Sequence, residues 1–287
     1  QKTNILYQII VVDNDADGNP KVYEIMKKIC EQHNNVLYYR NKKNLGMFGN
    51  LNRCIQLANS EWITILHDDD MLKENYINNI YAELKKHKYG IIGVFPEFRE
   101  DIQGQLTESS KCLKTNKIKR IISKLSKGKT VELGIKNFSM NIRVNATGYI
   151  LNRDQAIDSG GFNEEFYPLD FPFYDKMGSL YGCGLITKML TIRRIGENEA
   201  KNVNTIIGCA KGMKDFTRQL LMEFNRKTNW REQYCAVMFV QNSYDKYNNE
   251  LSLKEIYEKV EITPFWSYMP KIALKIIQFA SWANIIK

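Results

Sequence analysis

The chain has 287 residues, 44% of them hydrophobic, 11% aromatic and 25% charged, enough for one large domain or two small ones with a true core. That composition excludes a disordered chain, and 17 glycines with 6 prolines exclude a collagen-like or linker-dominated one. Lys and Arg total 41 against 32 Asp and Glu, a formal net charge of +9, which suits nucleic acid, anionic lipid or a phosphorylated substrate without choosing among them.

Residues 7–13 form a short apolar run (Ile9, Ile10, Val11, Val12) ending at Asp13, the pattern of a buried strand. Asp17, Gly18, Asn19 and Pro20 mark a turn. Val22, Ile25, Met26 and Ile29 then recur at helical spacing, and 36–39 reads as a second strand. Residues 46–60 carry Leu51, Ile55 and Leu57 as a helix, and 62–66 form a third strand running into Asp68, Asp69 and Asp70. A helix over 76–87 and a strand over 91–95 follow. This alternation predicts an α/β fold with a mostly parallel sheet.

The character changes at 109–131, which holds eight Lys or Arg residues and no acid, with Ile118, Ile121, Ile122 and Leu125 at helical spacing. These eight account for nearly all of the net charge. Two readings stay open: a solvated charged insertion, or an acceptor-side element that meets a lipid diphosphate or an anionic membrane surface. Sheet-like sequence resumes near Met140 and again over 185–192, and beyond about 203 the pattern is helical. Near the end, Phe265, Trp266, Tyr268, Met269, Ile272, Ile276, Phe279 and Trp282 crowd together with Lys271 and Lys275, and 262–287 holds three lysines and no acid. Such a helix suits a membrane interface; packing on the core, or on another subunit of an oligomer, is the rival.

Cys30, Cys54, Cys112, Cys183, Cys209 and Cys235 are scattered, and only His33, His67 and His87 accompany them. No zinc-type cluster is visible, so the cysteines predict reduced, mostly buried thiols in a cytoplasmic protein. No run reaches about 18 apolar residues, which predicts at most a peripheral position on the inner face of the cell membrane. No nucleic-acid-binding signature appears.

The sharpest feature is Asp68, Asp69 and Asp70. Three carboxylates at a strand's C-terminal end repel one another unless a cation or hydrogen-bond donors offset the charge. Open α/β sheets bind ligands at that end, and carboxylates at i and i+2 can hold one hard divalent ion that bridges phosphate oxygens. The plainer reading is an acidic turn that caps the helix beginning near Lys73. His67 reads as a satisfied core histidine.

Context adds to the triplet. Asp13 and Asn14 close the first strand; Asn44, Leu45 and Gly46 follow, then Asn50 and Asn52. In order and spacing, these residues and the triplet resemble the nucleotide-sugar-binding half of a family 2 glycosyltransferase with the GT-A fold. The second half continues the likeness. Asn145 to Leu151 leads to Arg153, then to Gly160, Gly161, Phe162, Asn163, Glu164, Glu165 and Phe166, which resembles the family's glycine-glycine-phenylalanine segment. Asp170 stands where the family carries its catalytic base, with Asp175 the competing candidate. Arg193, Arg194 and the residues to Ala200 resemble a segment near the donor.

The resemblance implies a GT-A catalytic domain over 1–202 and a helical C-terminal region over 203–287. Within the first, 5–98 is the nucleotide-sugar-binding half, 109–131 the basic insertion and 139–202 the acceptor half. It implies inverting transfer of a sugar from a nucleotide-diphosphate donor, a UDP-sugar in the first instance, to an acceptor hydroxyl on a growing glycan. A lipid-linked acceptor is one option, and bacterial surface-polysaccharide or glycan assembly the setting. Asp13, Asn14, Asn44, Gly46, Asn50, Asp68, Asp69 and Arg194 would bind the nucleotide sugar, Asp68 and Asp70 would hold Mn²⁺ or Mg²⁺, and Asp170 would be the general base. Three departures stand out. Leu169 precedes Asp170 where an acid is usual, Arg193 replaces an aromatic, and the family's opening strand and helix would precede the strand that here begins at residue 7. A catalytically silent glycan-binding or scaffold member and a nucleotidyltransferase are the alternatives.

Overall fold

The computed structural model describes residues 1–139, 147–166, 169–195, 203–227, 230–244 and 251–286. Met140, Asn145, Ala146, Tyr167, Pro168, the 196–200 part of the donor-side segment and the side chain of Trp282 lie outside the described residues.

Strand β1 (Ile9–Asp13) pairs in parallel with β2 (Val36–Arg40), from Ile9 opposite Val36 to Asp13 opposite Arg40. Helix α1 (Pro20–Gln32) makes the crossover between them. Pro20 supplies a preset φ at its start, and the Asn19 side chain accepts from the Lys21 amide at 3.0 Å. Helix α2 (Gly46–Leu57) follows, turning Phe48, Leu51 and Ile55 inward at helical spacing.

The remaining strands make a second sheet of seven. They are β3 (Trp62–Thr64), β4 (Met71–Leu72), β5 (Ile91–Ile102), β6 (Gln105–Thr107), β7 (Thr130–Leu133), β8 (Ile150–Asn152) and β9 (Cys183–Ile195). Their order is β3-β8-β5-β9-β4, with β6 added to β5 and β7 to β9. The mostly parallel sheet expected from sequence is corrected to a mixed one. Among the described residues, beside β1–β2 only β5–β9 is parallel, while β3, β4, β6, β7 and β8 join antiparallel. A parallel neighbour needs a long crossover, whereas an antiparallel one does not. Thus β5 returns directly as β6 through Gln103 and Gly104, both at positive φ as a tight hairpin requires. Among the described residues β1 pairs only with β2, and β3 only with β8.

Helices cover both faces of the large sheet. On one, α2, α5 (Ile135–Phe138), α6 (Arg153–Asp158) and α7 (Phe171–Tyr181) bury Phe48, Ile55, Phe138, Ala156, Phe173 and Met177 against Ile91, Leu151 and Leu185. On the other, α3 (Tyr76–Leu84) seals Tyr76 and Ile80 against Ile92, Val94, Ile150 and Ile186. A third cluster is helical, built from α8 (Val203–Glu223), α9 (Arg231–Tyr244), α10 (Leu253–Lys259), α11 (Pro264–Ser267) and α12 (Lys271–Ile286). It is not detached, because Phe216 and Leu220 of α8 belong to the first cluster. All six cysteines are free, and Cys112, Cys183, Cys209 and Cys235 are buried.

The basic stretch is no free-standing insertion. It forms α4 (Ser110–Leu125) and β7, and both pack on β9. Asn116, fully buried in α4, accepts from the Phe98 amide at 2.9 Å and donates to the Phe98 carbonyl at 3.0 Å. It thus supplies both bonds that a neighbouring strand would make there. The Lys119 ammonium lies 4.5 Å from the Phe95 ring centroid, and burial, with Arg193 adding repulsion, pushes its pKa down to about 8.

The chain turns back through Gly148, at φ +82°, just before β8. A Cβ there would run into Thr191 Cγ2 and stand 3.2 Å from Val94 Cγ2. Gly104 has a similar φ but nothing within 4 Å. Gly148→Ala is expected to lower stability in urea denaturation by about 1–3 kcal/mol more than Gly104→Ala. Equal losses would mean that backbone strain, not close approach, selects glycine at 148.

Candidate active site

Asp13 ends β1, and its carboxylate is held at both oxygens. Oδ1 accepts from the Asp15 amide at 2.9 Å and Oδ2 from the Tyr38 hydroxyl at 2.6 Å. Burial first, then the bond to Asp13, pushes the Tyr38 phenol up to about 12, so it stays a donor at neutral pH. Asn14 begins a ring of amides. Its Nδ2 donates to Asn44 Oδ1 at 3.0 Å and to the Gly46 carbonyl at 3.1 Å, while its Oδ1 accepts from Asn41 Nδ2 and from the Leu45 amide, both at 3.0 Å. Asn41 also donates to Asn50 Oδ1 at 2.9 Å, and the Gly46 amide donates to Asn44 Oδ1 at 2.8 Å. This network ties the end of β1 to the start of α2, where Gly46 adopts φ +71°.

Asn52, two residues beyond Asn50 in α2, reaches the second half of the chain. Its Oδ1 accepts from the Phe162 amide at 2.8 Å and its Nδ2 donates to the Phe162 carbonyl at 2.9 Å. Gly161 at φ +67° permits this approach, since a Cβ there would strike the Asn52 amide. The Phe162 ring in turn packs on Phe48 and on Phe173 of α7, with centroids 5.5 and 4.3 Å away.

The acidic triplet lies between β3 and β4. Asp68 and Asp69 are exposed, whereas Asp70 is 8% exposed. Its Oδ2 accepts from the Thr147 hydroxyl and its Oδ1 from the Arg194 amide at 3.1 Å. Donor atoms of His67, Asp69 and Asp70 lie within 4.8 Å of one another, a spread that a single ion can bridge. Sequence reasoning paired Asp68 with Asp70; the geometry instead groups Asp70 with Asp69 and with His67, which is half-buried rather than a core histidine. The Arg194 guanidinium, assigned to the diphosphate from sequence, pairs with Asp101 at 3.2 Å.

From Asp70 a continuous path leads to Asp170. Thr147 holds Asp70; the carbonyl of Gly148 accepts from the buried Tyr76 hydroxyl at 2.9 Å; the ring of Tyr149 stacks on Tyr174 with centroids 4.3 Å apart. Asp170 is the residue before α7, with no side-chain capping bond. Leu169 is buried in the helical cluster while Phe173 and Tyr174 are buried in the sheet cluster, so Asp170 is held where two cores meet. Burial foremost, with the Asp170 charge adding to it, raises Tyr174 well above its ordinary value and Cys209 to about 11. The rival Asp175 is buried within α7. Three contributors escaped sequence reasoning. Asn41 follows a strand directly, a detectable signal; Tyr38 resembles any strand aromatic; Thr147 sits in the 145–151 segment with nothing local to mark its role.

Thr147→Val keeps the shape and removes the donor to a buried carboxylate. It is expected to cost about 1.5–3 kcal/mol in urea denaturation, with Thr147→Ser costing less. Equal losses would assign Thr147 a packing role only.

The family model for glycosyl transferase family 2 matches residues 1–146. The uncharacterized glycosyltransferase MG060 of Mycoplasma genitalium is 25% identical over 121 residues, and its Mycoplasma pneumoniae homolog, likewise uncharacterized, is 32% identical over 88. These alignments cover 36% and 30% of this chain and 40% and 28% of the relatives, so the chain spans less than half the length of the curated relatives it matches. Among solved structures, S. aureus TarS 1–349 matches with a TM-score of 0.51, both with UDP-GlcNAc and with UDP. The identities are 13% and 14%, over 97% of this chain and 81% and 80% of TarS, a likeness of fold. With the family model spanning just over half of its residues, the chain belongs to glycosyl transferase family 2.

Proposed function

We propose that the protein is an inverting glycosyltransferase that moves a sugar from a UDP-type donor to an acceptor hydroxyl on a growing glycan. The observation that carries this reading is the Asp70 cluster in the loop between β3 and β4 of a family 2 fold. The catalytic part is taken as 1–202 and the helical region as 203–287. The TarS structures hold UDP and UDP-GlcNAc, which supports a nucleotide-diphosphate donor.

Two carboxylates and an imidazole form a donor set that fits Mn²⁺ better than Mg²⁺. Each Asp70 oxygen accepts one hydrogen bond and keeps a lone pair for coordination. A bound divalent ion would offset charge on the departing diphosphate. Asp13, steadied by Tyr38, retains lone pairs for the ribose or base, and the Asn14, Asn44 and Asn50 network holds Gly46 beside it. Asp68 remains free to meet the donor from the solvent side, and Arg194 contributes its positive charge while paired to Asp101.

Asp170 accepts the acceptor proton as that hydroxyl attacks the anomeric carbon. The new carbon–oxygen bond forms on the face opposite the breaking carbon–oxygen bond, and the nucleoside diphosphate carries away its electron pair. Holding Asp170 between two cores limits its motion at that moment. The reaction is placed in the cytoplasm, in keeping with the free cysteines.

A panel of nucleotide sugars, assayed for metal-dependent hydrolysis and transfer, tests the reading. Turnover of one donor is expected, and inertness toward all of them would favour a catalytically silent glycan-binding member. Asp170→Asn is expected to lower transfer by roughly 10²–10⁴-fold with donor binding retained. Undiminished transfer would remove Asp170 as base and turn attention to Asp175.

A further inference from the structure

Helices α11 and α12 have two unlike faces. Leu274 is fully buried, and Trp266, Met269 and Ile277 lie against the same helical cluster. On the other side Phe265, Tyr268, Ile272, Ile276 and Phe279 are exposed, Tyr268 at 83%, Ile272 at 71% and Phe279 at 74%. Within α12, Ile272, Ile276 and Phe279 advance by four and three residues and so form one apolar stripe, and Phe265 and Tyr268 are exposed just before it. Sequence reasoning set core packing against a membrane interface as rivals; the helix does the first with one face and leaves the second face uncovered.

Charge selects the occupant. Exposed Lys275 lies one turn from both Ile272 and Phe279, and 262–287 contains three lysines and no acid. Helix α4 repeats the theme, its outward side carrying Leu113, Lys117, Arg120, Ile121 and Lys124. The two helices belong to one region, since α12 packs against β7, which begins shortly after α4 ends. A twofold contact between copies of this chain through the α12 stripe would bring like-charged Lys275 residues together with no acid in the segment to offset them. An anionic bilayer offers both an apolar boundary and negative headgroups. Helix α12, about 24 Å long at 1.5 Å per residue, is already folded on the core, and no described helix is long and apolar enough to cross a membrane.

We propose that the outward stripe of α12, with the exposed rings of Phe265 and Tyr268 before it, docks the protein on an anionic lipid surface, with α4 adding positive charge. This docking is separate from the carboxylate site, and its test does not depend on catalysis. The full chain is to be co-sedimented with vesicles of phosphatidylcholine alone and of phosphatidylcholine mixed with phosphatidylglycerol. Binding to the anionic vesicles only is expected, and it should weaken from about 0.1 M to about 1 M salt as the Debye length falls from about 10 to about 3 Å. The triple variant Ile272→Ser, Ile276→Ser, Phe279→Ser should lose roughly tenfold or more of the binding with its circular-dichroism melt unchanged. Should that variant fail to fold, Lys275→Glu decides, with a several-fold loss expected. Indifference of the wild type to anionic vesicles overturns the proposal, as does wild-type binding by the folded triple variant or, if that variant does not fold, by Lys275→Glu. A dimer in light scattering that the triple variant abolishes, without vesicle binding, overturns it in favour of a second copy.

Discussion

The buried carboxylate of Asp70 is the constraint around which the sheet is organised. Removing a carboxylate from water costs several kcal/mol unless donors replace the lost hydration. Here the donors are the Thr147 hydroxyl and the Arg194 amide, 77 and 124 residues away in sequence. Satisfying one charge therefore fixes three distant segments: the exit of β3, the entry to β8 and the far end of β9. The close approach also requires Gly148 to have no side chain and Tyr76 to lay its hydroxyl across the buried turn.

The same arrangement explains how a site can be assembled from loops. The Asp13 and Asn14 end is braced by amides, the Asp70 end by buried donors, and the Asp170 end by aromatic stacking between Tyr149 and Tyr174. Asn52 closes the circuit by clamping Phe162 to α2. Each brace uses bonds that are satisfied within the protein, while the carboxylates of Asp68 and Asp69 stay exposed and His67 half-buried beside them. In the proposed reaction this rigidity is what keeps the metal ligands, the donor and the base in mutual register.

Much of this was legible in the sequence because it rests on local pattern. Apolar β-branched runs announce β1 and β5, Asn19–Pro20 announces α1, and the order of Asp13, Asn44–Gly46 and the triplet announces the family. Long-range satisfaction was not legible. Nothing local distinguishes Asp70, which turns inward to Thr147, from Asp68, which stays outside, and nothing local draws His67 toward Asp69. The mixed sheet escaped for a related reason. Short strands such as β7 and β8 are too brief to show a period, and their partners β5 and β9 are distant in sequence. The basic stretch misled through composition: its lysines mask Cys112 and Asn116, buried residues that help seat α4 on the sheet.

The positive charge and the acidic cluster thus occupy separate places, one on the outer sides of α4 and α12 and one in the loop between β3 and β4. The central claim, that the Asp70 cluster binds a nucleotide diphosphate through a divalent cation, is tested most directly by calorimetric titration of UDP into the protein with Mn²⁺ and again in EDTA. The account predicts clear binding with Mn²⁺ and an affinity lower by tenfold or more, about 1.4 kcal/mol or more, in EDTA. Equal UDP affinity under both conditions would contradict it.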